Sequence, residues 1–353
     1  MTPSELKNFK TYLEDLKTTV NIDERDINIW CDIIEILCFT NFDKSIFRED
    51  IERELEKLVD GGIQLEALKE ISRQMGFDIP DAHIFSTGGG IDWGSDDASK
   101  SDLLSQITNM WFSHLQLRQK EFGDYYPFKI KADRSEIISK NVSELSKSNK
   151  LYLYFLITSK RGGLIKARQT RLELDFEPIA FEAFKTLIPK GGKNHLMGKG
   201  TYTSANFKVN KYNKFNLLAN ILKVQIKVSP HYFHPKDSGE NGFDFIGWLL
   251  HSDTLSNNPV YAGQATCMRD WSAKYNESSS QNMGGILDTS KIGSYTNSLF
   301  IPYHFRVGNN WAYPSYVEAK NYILFDRFRI LKTINIANIA NRLIPHSLIK
   351  EIA

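Results

Sequence analysis

Asn241-Gly242-Phe243-Asp244-Phe245-Ile246-Gly247-Trp248 and, after a polar loop, Val260-Tyr261-Ala262-Gly263-Gln264-Ala265-Thr266 are the stretches whose reading decides the fold. Both are apolar runs of strand length, each interrupted by one long polar side chain. Strand residues alternate faces, so Asp244 and Ile246 share one side while Phe243, Phe245 and Gly247 share the other. An ionised carboxylate in such surroundings is costly unless it is paired, hydrogen-bonded or holding a cation. Gly242 permits a tight entry and the close approach of another segment. If the two strands pair, Asp244 and Gln264 point into one cleft. Oxygen donors on neighbouring strands make a workable Mg²⁺ site, because this hard ion takes oxygen ligands and keeps several waters. Such an ion lowers the pKa of a bound water and neutralises charge developing on a phosphate.

Upstream, Asp175-Phe176-Glu177 lies in a helix pattern over Ala167–Leu187, with Leu172, Leu174, Phe176, Ile179, Ala180 and Phe184 at helical spacing. These neighbours put Glu177 beside the apolar stripe rather than in open solvent. Downstream, Asp270-Trp271-Ser272-Ala273-Lys274 opens a further helix, from which Lys274 can reach back over the cleft to hold a phosphate or orient a water. Taken one at a time, each residue also has a plain structural reading. A strand Asp followed by a strand Gln can be structural, Glu177 a salt-bridged helix residue, and Lys274 a solvated lysine.

The rest of the chain suggests helices packed on a mixed sheet. Residues 1–84 read as an N-terminal helical region: Thr2-Pro3-Ser4-Glu5 is a capping-box pattern, and amphipathic stretches follow at Ile27–Phe39 and Ile46–Leu58. Residues 85–100, with Gly88-Gly89-Gly90, read as a loop or linker. No Gly-Lys-Ser/Thr follows the glycines, so they make no phosphate loop. Residues 101–353 form the main domain: a helix at about Ser101–Phe122, an apolar run at Leu151–Ile157, and a helix at Phe215–Leu222. Strand-like runs come at Val224–Val228, Phe243–Leu250, Val260–Thr266 and Leu299–His304, and the stretch from Tyr322 to Ala353 is again periodic.

With 41% hydrophobic and 24% charged residues over 353 positions, the composition is that of a soluble globular protein. No run is apolar enough for a membrane span, and the first residues are unlike a secretory or transit peptide, so a cytoplasmic location is expected. Three cysteines, Cys31, Cys38 and Cys267, lack disulfide or zinc spacing, and Cys31 and Cys38, seven apart in an apolar helical stretch, read as buried thiols. The net charge of +2 neither demands nor excludes nucleic acid. Local clusters say more: Lys160, Arg161, Lys166, Arg168 and Arg171, then Lys190, Lys193 and Lys199 beside His195. These cations can track a nucleic-acid backbone or form a solvated face. Arg327 and Arg329 flank Phe328 and read equally as partners of Asp326. His231 and His234 lack the acidic context of a zinc helix, and no nucleophile elbow or dinucleotide fingerprint is present.

Jointly, these residues resemble the restriction-endonuclease-like, or PD-(D/E)XK, superfamily, and within it a group of bacterial restriction or anti-phage defence nucleases. The resemblance rests on Gly242-Phe243-Asp244 with Trp248, Gly263-Gln264-Ala265-Thr266, Trp271 with Lys274, and Phe176-Glu177. Softer matches are Tyr126-Pro127-Phe128, Phe300-Ile301-Pro302 and Phe325-Asp326-Arg327-Phe328-Arg329, so that it runs from about Leu103 to Ile330. It implies an α/β fold with a restriction-endonuclease-like mixed sheet flanked by helices. It implies a Mg²⁺-dependent endonuclease, with Mn²⁺ as a substitute, acting on DNA. Asp244, Glu177 and Gln264 become metal ligands, with Lys274 catalytic beside them. Lys160, Arg161, Lys166, Arg168, Arg171, Lys193 and Lys199 become DNA contacts. A partner subunit of ATPase or methyltransferase type, or a second copy of the chain, is compatible with it. Gln264 stands where the family carries Asp or Glu, and Thr266 stands at the lysine position. A nuclease-fold subunit that binds DNA or a partner and cleaves weakly therefore stays open, as does an unrelated α/β protein with a structural Asp244.

Overall fold

The computed structural model describes residues 27–60, 97–159, 169–197, 203–234, 237, 239–251, 255–268, 271–308, 310–312, 317 and 321–339. They form a mixed α/β structure. Eight α-helices are described: α1 (Ile27–Thr40), α2 (Arg48–Asp60), α3 (Asp97–Phe122), α4 (Lys147–Thr158), α5 (Gln169–Phe184), α6 (Lys211–Leu222), α7 (Ser280–Gly284) and α8 (Arg327–Thr333). A small antiparallel sheet takes the order β1 (Ser45–Phe47), β3 (Glu136–Ser139), β2 (Phe128–Ile130). The main sheet takes the order β10 (Ile323–Phe325), β7 (Ser294–Phe300), β6 (Pro259–Ala265), β5 (Phe245–Trp248), β4 (Lys193–Leu196), and a separate two-stranded ribbon pairs β8 (Arg306–Val307) with β9 (Asn310–Trp311).

The main sheet is mixed: β4 pairs antiparallel with β5 and β5 with β6, whereas β6, β7 and β10 run parallel. Parallel neighbours need a crossover, and the segment between β6 and β7 supplies one, with a 3₁₀ turn at Trp271–Lys274 and α7. Strand alternation then serves two cores. Phe245 faces α5 and joins Phe176, Ile179, Phe184 and Phe300, while Ile246, Trp248 and Val260 join Phe215 and Leu218 of α6 and Met283 of α7. A Cβ on Gly263 would lie 3.1 Å from Phe184 and 3.0 Å from Phe245, so the missing side chain lets α5 settle on the sheet.

Several expectations change. The helix expected over Ile46–Leu58 begins at Arg48, because residues 45–47 pair with β3. The helix expected from Ser101 begins at Asp97, so the last four residues of the expected linker are helical, while residues 85–96 lie outside the described residues. Of the expected N-terminal helical region, residues 1–26 and 61–84 also lie outside them. Val224–Val228 makes one bridge, Ile226 to Leu287, because its apolar side chains lie on the second core instead of joining a ladder. The run at Leu299–His304 ends its pairing at Phe300. Cys31 and Cys38 are free and buried, as expected, and so is Cys267.

Helix α1 belongs to the same core as α3, α4 and α8, and a buried polar network pins it there. Arg118 of α3 donates to Asp32 and Glu35 of α1, both at 2.8 Å, and Arg327 of α8 donates to Asp32 at 2.8 Å. Tyr126 and Tyr152 donate their hydroxyls to Glu35. Arg327 thus finds its partner in Asp32, and Asp326 is instead paired by Arg306 at 3.0 Å while capping α8.

Removing one member of a buried charge network leaves the others uncompensated, at a cost of about 3–5 kcal/mol. Asp32→Ala is therefore expected to lose stability of that order in urea unfolding. A variant within about 0.5 kcal/mol of the parent, the usual range for surface changes, would show the network to be dispensable.

Candidate functional site

Strands β5 and β6 pair as the sequence suggests, with Phe245 opposite Gly263 and Ile246 opposite Ala262. Continuing that register sets Asp244 opposite Gln264. Asp244 does not lie within the strand, however; it is the residue before it. Its carboxylate accepts the Ala265 N–H at 2.8 Å, so a side-chain oxygen replaces a main-chain partner at the mouth of the ladder. Its own carbonyl accepts the Met197 N–H at 2.7 Å, which carries β4 alongside. Gly242 makes the approach possible: its φ is +83°, and a Cβ there would meet the Cβ of Glu277 at 2.7 Å.

Four carboxylates gather at this end of the sheet. Asp244 is 6% exposed, and burial pushes its pKa well above the carboxylate range, with Glu177, Glu240 and Glu277 pushing the same way against the Ala265 N–H. Burial and Glu240 raise Glu177 of α5 to about 7, with Lys214 acting in the opposite sense. Lys214, on α6, is buried and donates its Nζ to the Met197 carbonyl at 2.6 Å, one residue across the ladder from Asp244. Gln264, also 6% exposed, donates Nε2 to Glu277 Oε2 at 2.6 Å. Its Oε1 is buried with no hydrogen-bond partner, as is one oxygen of Glu240.

This donor set is all oxygen, and two of its buried oxygens lack hydrogens to accept. It fits a hard divalent ion that keeps part of its water shell. Among the described residues no three His, Cys, Asp or Glu side chains form a ready-made ion cage, so waters and the Gln264 amide would have to complete any shell. A soft-metal site does not fit, since His231 and His234 are exposed.

Glu177, Asp244 and Gln264 are thus brought to one end of the sheet. Lys274 lies in the 3₁₀ turn after β6, with its Nζ 2.6 Å from Glu277 Oε1. Its charge is answered by that carboxylate rather than offered to the cleft. Thr266 accepts the Met268 N–H at 3.1 Å. Lys193 opens β4 and is exposed. Lys160, Arg161, Lys166, Arg168, Lys199 and Asp270 lie outside the described residues, as does the side chain of Arg171.

Sequence reasoning passes over Glu240, Glu277 and Lys214. Lys214 carries a readable sign, since it shares one stripe of α6 with Leu218 and Leu222, where a solvated lysine does not belong. Glu240 and Glu277 sit in turns, where no period marks them.

Comparison with known proteins adds little. No family model matches the chain, and no curated protein matches it. Among solved structures, the MspJI restriction endonuclease in complex with a 27-mer oligonucleotide aligns with a TM-score of 0.29 and 13% identity. The alignment covers 61% of this chain and 38% of that one, so this chain spans well under half the length of the protein it matches. A likeness this slight decides neither fold family nor function.

The raised pKa of Glu177 has a consequence for stability. A carboxyl whose folded value lies near 7, above its ordinary 4.5, contributes stability below 4.5 that is lost as pH rises through 7. Glu177→Gln is therefore expected to melt at a higher temperature than the parent at pH 8, with the gap closing as pH falls from 7 toward 4.5. Thermal melts across that range check it; a variant that melts lower at pH 8 contradicts it.

Proposed function

We propose that the chain is a Mg²⁺-dependent DNA endonuclease of a restriction or anti-phage defence system, built on a restriction-endonuclease-like sheet and acting in the cytoplasm. The observation that carries this reading is the buried oxygen cluster of Asp244, Glu177 and Glu240, completed by the unpartnered Gln264 Oε1. Like charges do not gather in a protein interior without a cation or protons to hold them. Mg²⁺, or Mn²⁺ in its place, would supply a water of lowered pKa and positive charge against the phosphate.

The chain's own residues do the rest. Asp244 is braced by the Ala265 N–H and the Met197 N–H, so its free oxygen is held in one place. Glu177 approaches from a separate helix, and Gln264 adds a neutral oxygen. Lys214, bonded to the Met197 carbonyl, offsets the charge of Glu177. DNA contacts fall to Lys193 and to the basic residues Lys160, Arg161, Lys166, Arg168, Arg171 and Lys199.

A second reading has its own support. Gln264 brings no charge, Thr266 brings no cation, and Lys274 is engaged by Glu277. A nuclease-fold subunit that binds DNA, or a partner such as an ATPase or methyltransferase, and cleaves weakly accounts for these features.

Plasmid and phage DNA incubated with the protein and Mg²⁺, Mn²⁺ or EDTA separates the two. Metal-dependent cleavage is expected, lost by roughly two orders of magnitude or more in Asp244→Asn while the fold is retained. No cleavage with any metal, alone or with a neighbouring gene's product, favours the second reading. Because ligands must shed their protons to bind a cation, Mn²⁺ affinity is expected to rise with pH through about 7, where Glu177 ionises. A flat profile between pH 6 and 8 in calorimetry would remove Glu177 from the site.

A further inference from the structure

The oddest member of the cluster is Gln264, because an amide can turn either its oxygen or its NH₂ toward the cleft. Which end faces inward is decided by what the other end meets. Here Nε2 meets the carboxylate of Glu277 at 2.6 Å, and Oε1 is left buried and without a hydrogen-bond partner. Reversing the amide would set its oxygen against a carboxylate oxygen, two acceptors with no hydrogen between them.

Glu277 is itself firmly mounted. Its second oxygen is held by Lys274 Nζ at 2.6 Å. Its carbonyl accepts from Asn282 Nδ2, which also donates to the Asn241 carbonyl at 3.1 Å. Its Cβ rests against Gly242, where any larger residue would displace it. The flanking residues are tied to β7: Asn297 donates to the Tyr275 carbonyl at 3.0 Å, and Tyr295 donates its hydroxyl to the Ser278 carbonyl at 2.6 Å. The crossover between two parallel strands is thereby fixed at the point where it meets Gln264.

We propose that Glu277 is a positioning residue which, with Lys274 as its counter-ion, locks the Gln264 amide so that its oxygen is the end left for a divalent ion. Lys274 then acts on Glu277 and leaves the phosphate to other groups. The inference rests on the ion-binding reading above and deepens it: a neutral ligand replaces a carboxylate because a carboxylate stands directly behind it. Gln264 and Glu277 form one unit, in which the charge is held one residue back from the ion.

Charge inversion tests this without reference to cleavage. Glu277→Lys should turn the amide round, since an ammonium donates where a carboxylate accepted, and Mn²⁺ affinity measured by calorimetry should fall at least about tenfold. Adding Gln264→Glu to that variant should restore affinity to within about threefold, because Glu at 264 accepts from the new lysine with one oxygen and keeps the other for the ion. Adding Lys274→Glu instead should not restore it, although it repairs the surface ion pair. Rescue by Lys274→Glu and not by Gln264→Glu would make Glu277 a plain salt-bridge residue and overturn the proposal. So would unchanged affinity in Glu277→Lys. Should that variant fail to fold, Glu277→Gln serves: its amide can donate as well as accept, so the Gln264 amide is no longer locked and Mn²⁺ affinity should fall several-fold, and unchanged affinity would contradict the assignment. A parent protein that binds no Mn²⁺ removes the ion-binding reading itself, whereas a parent that binds while the rescue pattern fails removes only the role of Glu277.

Discussion

Two carboxylates and two guanidinium groups, buried together between four helices, hold the molecule in register. Asp32 is shared by Arg118 and Arg327, and Glu35 takes Arg118 and two tyrosine hydroxyls. Each charge is costly away from water, and each is tolerable only because all the others are in place. The arrangement contributes less to net stability than an apolar core of the same volume would. What it gives is specificity, since the packing of α1, α3, α4 and α8 must bring Asp32 and Glu35 to their guanidinium and hydroxyl partners. His114 and His304 lie against the same cluster, and burial beside Arg118 holds both well below the ordinary imidazole range. They stay neutral, so the four-group balance is undisturbed. From there rigidity passes outward: Phe155 of α4 stands edge-on to Phe176 of α5 at 5.7 Å, one residue before Glu177.

The candidate site follows the opposite logic. In the polar network every charge has an opposite partner; at the sheet end, burial and Glu240 raise the pKa of Glu177, and burial with both of these carboxylates raises that of Asp244. Such a cluster opposes folding at neutral pH and persists because the surrounding structure over-determines it. Gly242, the Ala265 N–H and the packing of α5 on Gly263 all act in this way. Stability given up at one place and secured elsewhere is the usual mark of a site kept for function.

Much of this was legible in the residues themselves. The pairing of β5 with β6 follows from alternation in two short apolar runs, and the apolar neighbours of Glu177 place it inward; alternation stops short of Phe243, which packs in the core of Ile246 and not in that of Phe245. The small sheet was not legible, because strands of three or four residues show no period. Nor were Glu240 and Glu277, which reach the site through turns whose positions depend on Gly242, Asn282 and β7 rather than on local pattern. The partner of Lys274 was hidden for the same reason, as Glu277 lies three residues on in the same turn. Arg327 finds Asp32, and no local rule connects residues so far apart.

That last separation also governs how the chain is made. Asp32 and Arg327 are 295 residues apart, yet their contact completes the central network. At roughly 5–20 residues per second, the ribosome needs on the order of 15–60 s to deliver one after the other. Through that interval α1 carries carboxylates destined for the interior with one of their two arginine partners still unmade. The network is therefore completed only once Arg327 has been made. A chain interrupted before α8 leaves Asp32 short of its second arginine.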